Sequence, residues 1–129
     1  MSEARVLRIG IAPREYVKQR TLDIARGRPL SEGEPRHWVS SLDALARVLS
    51  EKNMLLLEMI RESQPQSLAE LAKLSGRAKS NLSRTLHTME SLGLIELREA
   101  PQGKKSPTVV YDSLTVDYSL ARPKIKKAA

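Results

Sequence analysis

The sequence predicts a mainly α-helical fold with a small β hairpin, which belongs to the α+β class. Apolar residues recur at helical spacing between residues 42 and 92. Two glycines, Gly76 and Gly93, stand where helical segments should end. After Gly93 the pattern changes to short runs rich in β-branched residues, which is typical of strands.

Length and composition indicate one globular domain. The chain has 129 residues, enough for one modest hydrophobic core. Hydrophobic residues make up 40% and charged residues 29% of it, which argues against a disordered protein. The longest strongly apolar run, 54–57, is far shorter than the roughly 20 residues of a membrane-spanning helix. Because the first residues also lack the apolar stretch of a secretory signal, we expect a cytoplasmic protein.

Enzymatic and metal sites find little support in the residue types present. The chain has no cysteine, and its two histidines, His37 and His87, stand far apart without a ligand motif. A glycine and a lysine at 103–104 resemble the end of a phosphate-binding loop, but Arg98 stands where the first glycine of that loop belongs. We therefore expect no enzymatic activity, no metal and no cofactor.

Positive charge is the strongest functional signal in the composition. Lysine and arginine number 22 against 15 acidic residues, a formal net charge of +7. Such a surplus favours anionic partners, nucleic acid first. Acidic residues slightly outnumber basic ones within 38–65, whereas the flanking segments are basic. The middle segment is thus predicted to form core, and its neighbours to form surface that meets phosphate.

The segment 1–37 is predicted to form an N-terminal arm of a strand, a helix and a linker. Residues 6–11 are rich in β-branched side chains, which favours a short strand. The stretch 14–26 has few helix breakers, and residues 28–35 contain two prolines and a glycine. A further extended segment, 114–118, is expected to pair with the first strand, within or between chains.

Two helices are predicted to form the hydrophobic centre. Ser40 stands three residues before Asp43, the spacing of a capping box, and leucines follow at helical spacing. Ser50 can begin the second helix, which ends before Pro65. Trp38 precedes both helices and is expected to be a structural anchor at the entrance of the core.

Another pair of helices follows. Ser67 and Glu70 form a capping box, and the short helix that they begin should end at Gly76. The next helix is predicted at about 79–92, with its leucines on one side. The opposite side is polar or basic and comprises Ser80, Arg84, His87 and Ser91, flanked by Asn81, Ser83 and Thr88.

A hairpin is predicted after this helix. Residues 94–98 and 108–111 have strand character, and the polar loop 99–107 between them carries Lys104 and Lys105. Helices followed by a hairpin with a basic loop make a winged helix–turn–helix arrangement. We therefore expect the helix to enter the DNA major groove and the hairpin loop to act as a wing.

Specific chemistry supports this interpretation. Arg84 can bind guanine O6 and N7 with two hydrogen bonds, and Asn81 can pair with adenine N6 and N7. Arg77 and Lys79 stand at the helix start, where the helix dipole also attracts phosphate. The predicted DNA-binding residues are Arg77, Lys79, Ser80, Asn81, Ser83, Arg84, His87, Thr88, Lys104 and Lys105.

Three motifs resemble the helix–turn–helix of small MarR-like winged-helix regulators: SLAELA at 67–72, GRAKSNLSRTL at 76–86 and LGLIE at 92–96. The wider stretch 38–118 is similar to small prokaryotic DNA-binding proteins, some of which act as antitoxins beside a toxin gene. The resemblance implies a winged-helix regulator of transcription. MarR regulators carry long dimerisation helices at both ends, where this chain is short.

The expected domains are the arm at 1–37, which serves dimerisation or contact with a partner, a DNA-binding domain at 38–120 and a disordered basic tail at 121–129. The expected function is that of a sequence-specific regulator of transcription, a dimeric repressor that binds a palindrome in double-stranded DNA. One alternative is an antitoxin that binds a neighbouring toxin through the arm and represses its own operon. Another is a winged helix used only for contact with protein or RNA.

Overall fold

The computed structural model of the chain describes residues 5–28 and 34–120, so the predicted tail and part of the predicted linker lie outside it. These residues form an α+β fold of five α-helices and five strands. In chain order the elements are β1 (Val6–Ile11), α1 (Arg14–Ala25), β2 (His37–Val39), α2 (Leu42–Val48), α3 (Glu51–Ser63), α4 (Leu68–Ser75), α5 (Lys79–Ser91), β3 (Glu96–Ala100), β4 (Lys104–Thr108) and β5 (Ser113–Tyr118). In the described part of the chain, no helix is both long and apolar enough to cross a membrane.

Strand β1 is the centre of a three-stranded parallel sheet in the order β2–β1–β5. Within this sheet Ile9 pairs with His37 on one side and with Val116 on the other. The two extended segments predicted near the ends of the chain therefore pair with each other within one chain. The sequence did not predict β2, whose three residues are too few for an alternating pattern.

Strands β3 and β4 form a separate antiparallel hairpin with a short connection. The predicted loop at 99–107 is wrong, because β3 runs on to Ala100 and β4 already begins at Lys104. The chain reverses within Pro101–Gly103, where Gln102 and Gly103 both adopt positive φ angles. Lys104 and Lys105 consequently lie on a strand and not in a loop.

Serine side chains cap the N-termini of three of the helices. Ser41, and not the predicted Ser40, caps α2 by accepting a hydrogen bond from the backbone N–H of Ala44 at 3.1 Å. Ser50 and Ser67 cap α3 and α4 in the same way. The predicted second capping box forms with one change. Ser67 accepts from the backbone N–H of Glu70, but the Glu70 carboxylate accepts from the backbone N–H of Gln66, at 3.1 Å, and not from that of Ser67.

One hydrophobic core joins the parallel sheet to the helices. Leu7, Ile9 and Ile11 of β1 are at most 4% exposed. They belong to one cluster with Leu45, Leu56, Ile60, Leu71, Leu82, Leu86, Met89, Leu92, Leu94 and Ile95. The boundary predicted at residue 37 therefore does not separate two cores. The segment before it supplies the central strand of the sheet.

Candidate nucleic-acid interface

Helices α4 and α5 are joined by a tight turn. Gly76 ends α4 in a left-handed conformation, with φ at 71°, which glycine adopts without strain. The next helix begins at Lys79. Its inner side is anchored in the core, because Leu82, Leu86 and Met89 are all 3% exposed or less. The opposite side of α5 therefore faces away from the core.

We call the outward surface of α5 the α5 polar face. It is an open, shallow depression lined by Ser80, Ser83, Arg84, His87, Thr88 and Ser91. All six side chains are exposed. Helical periodicity placed all of them on this side of the helix, and the structure confirms that placement. The set contains no acidic residue, although exposed Glu90 of the same helix lies beside Ser83 and His87 in a neighbouring cleft.

Donors on this face are unequally available. Within residues 5–28 and 34–120, the side chains of Ser80, Ser83, Arg84 and His87 have no hydrogen-bond or ion-pair partner. The Thr88 hydroxyl donates to the backbone oxygen of Arg84 at 3.1 Å, and the Ser91 hydroxyl donates to that of Thr88 at 2.7 Å. Uncommitted donors are therefore concentrated toward the N-terminal half of α5.

Arg77 occupies a different environment from the one predicted. Its half-buried guanidinium donates from Nη1 to Asn53 Oδ1 at 3.2 Å and from Nη2 to Thr85 Oγ1 at 3.3 Å. Nε and Nη2 both donate to Asn81 Oδ1, at 3.2 and 2.8 Å. Two predicted DNA contacts, Arg77 and Asn81, are thus bonded to each other. Sequence reasoning missed Asn53 and Thr85, which lack a local signal for this network.

The hairpin approaches α5 through one of its two lysines. Lys105 lines a cleft of about 300 Å³ together with Ser83 and His87 of the α5 polar face. Its Nζ atom lies 4.0 Å from Glu99 Oε1, an exposed pair. Lys104 is exposed at the end of the hairpin, opposite Ala100, and does not line this cleft. Lys79 is exposed at the first residue of α5.

The two histidines have separate surroundings. His37 packs against Gly93, where an added Cβ atom would lie 2.6 Å from His37 Nε2. His87 is on the α5 polar face. Among the residues that the structure describes, no three His, Asp or Glu side chains are grouped so as to hold a metal ion.

A second surface feature lies on α3. An apolar groove of about 480 Å³ runs between this helix and residues 109–114, and it exposes Met54 and Leu55. At its edge Asp112 accepts a hydrogen bond from the backbone N–H of Arg5 at 2.9 Å and from Arg61 at 3.2 Å. The bond from Arg5, and secondly that from Arg61, lower the pKa of the Asp112 carboxyl below its ordinary value.

Comparison with known families gives a match over residues 48–116, more than half of the chain. The matched residues extend from the end of α2 to β5 and include the α5 polar face and the hairpin. No curated protein and no solved structure gives a match. The chain belongs to the HVO_A0114 family.

Proposed function

We propose that the chain is a sequence-specific regulator of transcription that binds double-stranded DNA as a winged helix–turn–helix protein. Helix α5 enters the major groove, and the β3–β4 hairpin acts as the wing. The observation that carries this proposal is the α5 polar face. On this face the exposed side chains of Ser80, Ser83, Arg84 and His87 have no partner within residues 5–28 and 34–120, and the other side of the helix is buried.

Physical dimensions support this docking mode. An α-helix with its side chains is roughly 10–12 Å in diameter, which matches the width of the B-DNA major groove, about 12 Å. The serines of the first turns are short and let the helix backbone approach the bases. Arg84 is long enough to bind the guanine edge from there. The chain's net charge of +7 supplies attraction to the phosphates.

Lysines around this face fit contacts to the DNA backbone. Lys79 stands at the N-terminus of α5, where backbone N–H groups also favour an anion. Lys105 borders the same surface through the cleft that it shares with Ser83. Both side chains can therefore meet phosphates on either side of the groove while α5 lies between them.

A symmetric dimer that represses transcription from a palindrome is part of the proposal. One recognition helix reads only a few base pairs, and specific binding generally uses two half-sites about 34–36 Å apart. The predicted role of the N-terminal strand in joining two chains finds no support, since Ile9 and Ile11 are buried within one chain. The same burial withdraws Ile9 and Ile11 from contact with a toxin, whereas Val6 of the same strand is 45% exposed. No observation specifically favours the antitoxin alternative.

The test is selection of duplexes by the purified full chain from a library of random sequence. We expect an enriched motif that binds at least about 10³-fold more tightly than random duplex at physiological salt. The same motif as single-stranded DNA and as double-stranded RNA serves as the control. Lys18→Ala on α1 removes one positive charge away from the α5 polar face and should select the same motif. Absence of enrichment, or equal affinity for the RNA, would overturn the proposal.

A further inference from the structure

Asn81 is held in one orientation by Arg77. Two guanidinium nitrogens, Nε and Nη2, lie 3.2 and 2.8 Å from Asn81 Oδ1. Both are donors, and an amide nitrogen is also a donor, so only the oxygen of Asn81 can face them. This chemistry assigns the amide without ambiguity. The Nδ2 group is left pointing away from Arg77, with no acceptor in hydrogen-bond reach within residues 5–28 and 34–120.

Arg77 is in turn held by groups outside α5. Its Nη1 donates to Asn53 Oδ1 at 3.2 Å, and the Asn53 amide donates to Val48 O at 3.0 Å. The backbone N–H of Asn53 bonds to the Ser50 hydroxyl that caps α3. The orientation of Asn81 is therefore set by the junction of α2 and α3. The guanidinium commits four of its five N–H groups to this network, which leaves little to offer a phosphate.

This geometry conflicts with the adenine contact that the sequence predicts. Bidentate pairing with adenine requires Asn81 Oδ1 to accept from N6 while Nδ2 donates to N7. A carbonyl oxygen has two lone pairs, and Arg77 engages both. Adenine would thus place its N6 donor against an oxygen that has no acceptor capacity left. Guanine presents only acceptors, N7 and O6, on its major-groove edge, and these suit an outward amide donor.

We propose that Arg77 is a positioning residue that makes Asn81 a pure hydrogen-bond donor toward DNA, so that Asn81 selects guanine over adenine. This inference rests on the proposed function and deepens it. Removal of the Arg77 donors frees Oδ1 and restores the adenine contact. The base preference at a single position of the site therefore changes, whereas a merely structural Arg77 would affect all sequences alike.

The experiment is selection from random duplexes with the wild-type chain, Arg77→Met and Asn81→Ala, followed by affinities for duplexes that differ at one position. We expect a guanine position that becomes degenerate in Asn81→Ala. In Arg77→Met, the ratio of guanine to adenine affinity at that position should fall by about tenfold or more. Arg77→Lys keeps the charge and lacks the forked donors, so it should shift the preference in the same direction.

The outcomes separate this inference from the proposed function. If the wild-type chain enriches no duplex, the proposed function fails, and the inference fails with it. If the wild-type chain enriches a motif but both Arg77 variants keep its base preference, only the inference is overturned. Thermal unfolding of each variant identifies one that does not fold. In the free protein, Asn81→Ala should accelerate solvent exchange of the Arg77 Nε–H, and an unchanged rate would contradict the contact itself.

Discussion

The indole ring of Trp38 packs directly on the backbone of Gly10, its partner across the parallel sheet. A Cβ atom added at Gly10 would lie 2.4 Å from Trp38 Cε3 and Cζ3. Trp38 also meets Tyr16 edge-on, with ring centroids 5.3 Å apart, and donates from Nε1 to the oxygen of Pro35 at 3.0 Å. Trp38 is therefore a structural anchor, as its aromatic character indicated. It joins β1 and β2 to α1.

Gly10→Ala should destabilise the protein by about 1–3 kcal/mol, because the ring of Trp38 is rigid and must move to admit a methyl group. Denaturant unfolding of the two proteins measures the difference. The double variant Gly10→Ala with Trp38→Leu should show non-additive effects, since the smaller side chain relieves the contact. A Gly10→Ala protein within about 0.5 kcal/mol of wild type would contradict this account.

Truncation of a buried side chain in β1 should destabilise the whole chain. Ile9 is 0% exposed in the central strand, so Ile9→Ala should cost about 2–5 kcal/mol. Val6 lies on the same strand at 45% exposure, and Val6→Ala should change stability by less than about 0.5 kcal/mol.

Because β1 is buried in the core, deletion of residues 1–36 should abolish cooperative unfolding. A folded chain starting at residue 37 would show that β1 is dispensable.

The pH dependence of stability should contain a contribution from Asp112. Its pKa is lowered in the folded protein, first by the backbone N–H of Arg5 and then by Arg61. A lowered pKa stabilises the fold above the pKa of the unfolded chain, and this stabilisation is lost as the pH falls through the folded pKa. Asp112→Asn should thus be less stable than wild type near pH 7, with the gap closing below about pH 4.

Arg61→Gln provides a comparison for the Asp112 experiment. Because Arg61 is the second cause of the lowered pKa, its removal should reproduce part of the effect with the same direction in pH. Urea titrations across the acidic range measure both variants. A gap between wild type and Asp112→Asn that stays constant with pH would show that the carboxylate charge is not what stabilises this junction.

Local signals in the sequence predicted the helical part of the fold well. Ser50 and Ser67 each cap a helix by accepting a hydrogen bond from a backbone N–H three residues later in the chain. Gly76 is needed for the left-handed backbone conformation at its own position. Such features can be identified from a short stretch of sequence. Periodicity placed the α5 polar face correctly for the same reason, because a helix repeats its direction every few residues.

Features that depend on distant partners were missed or misplaced. Strand β2 is a strand because β1 lies beside it, and its residues give no signal alone. In the hairpin, Glu99 pairs with Lys105 and Ala100 with Lys104, so β3 runs past its predicted end and β4 begins before its predicted start. Asn53 and Arg77 are 24 residues apart in sequence, so no spacing rule connects them. Register and side-chain networks across elements depend on tertiary packing, which a single sequence does not display.

Arg84→Ala should weaken binding to the selected duplex by about 1–3 kcal/mol and relax the preference at one base position. Folding should be unaffected, because the side chain is exposed and has no partner within residues 5–28 and 34–120. Arg47→Ala on α2 removes an exposed arginine elsewhere and serves as the matched control. Equal losses on the selected and random duplexes would assign Arg84 to phosphate contact.

The salt dependence of DNA binding tests the role of the hairpin. Each lysine that meets a phosphate contributes about one unit to the slope of log affinity against log salt, so Lys104→Ala and Lys105→Ala should each make the slope shallower by about one. Lys105 borders the α5 polar face, so its contact is the more firmly supported of the two.

Glu99 lies 4.0 Å from Lys105 in an exposed pair, and Glu99→Gln should therefore leave the slope unchanged. Unchanged slopes in both Lys104→Ala and Lys105→Ala would remove the hairpin from the interface. A change in Lys104→Ala alone would instead assign the phosphate contact to the end of the hairpin, beyond the cleft next to α5.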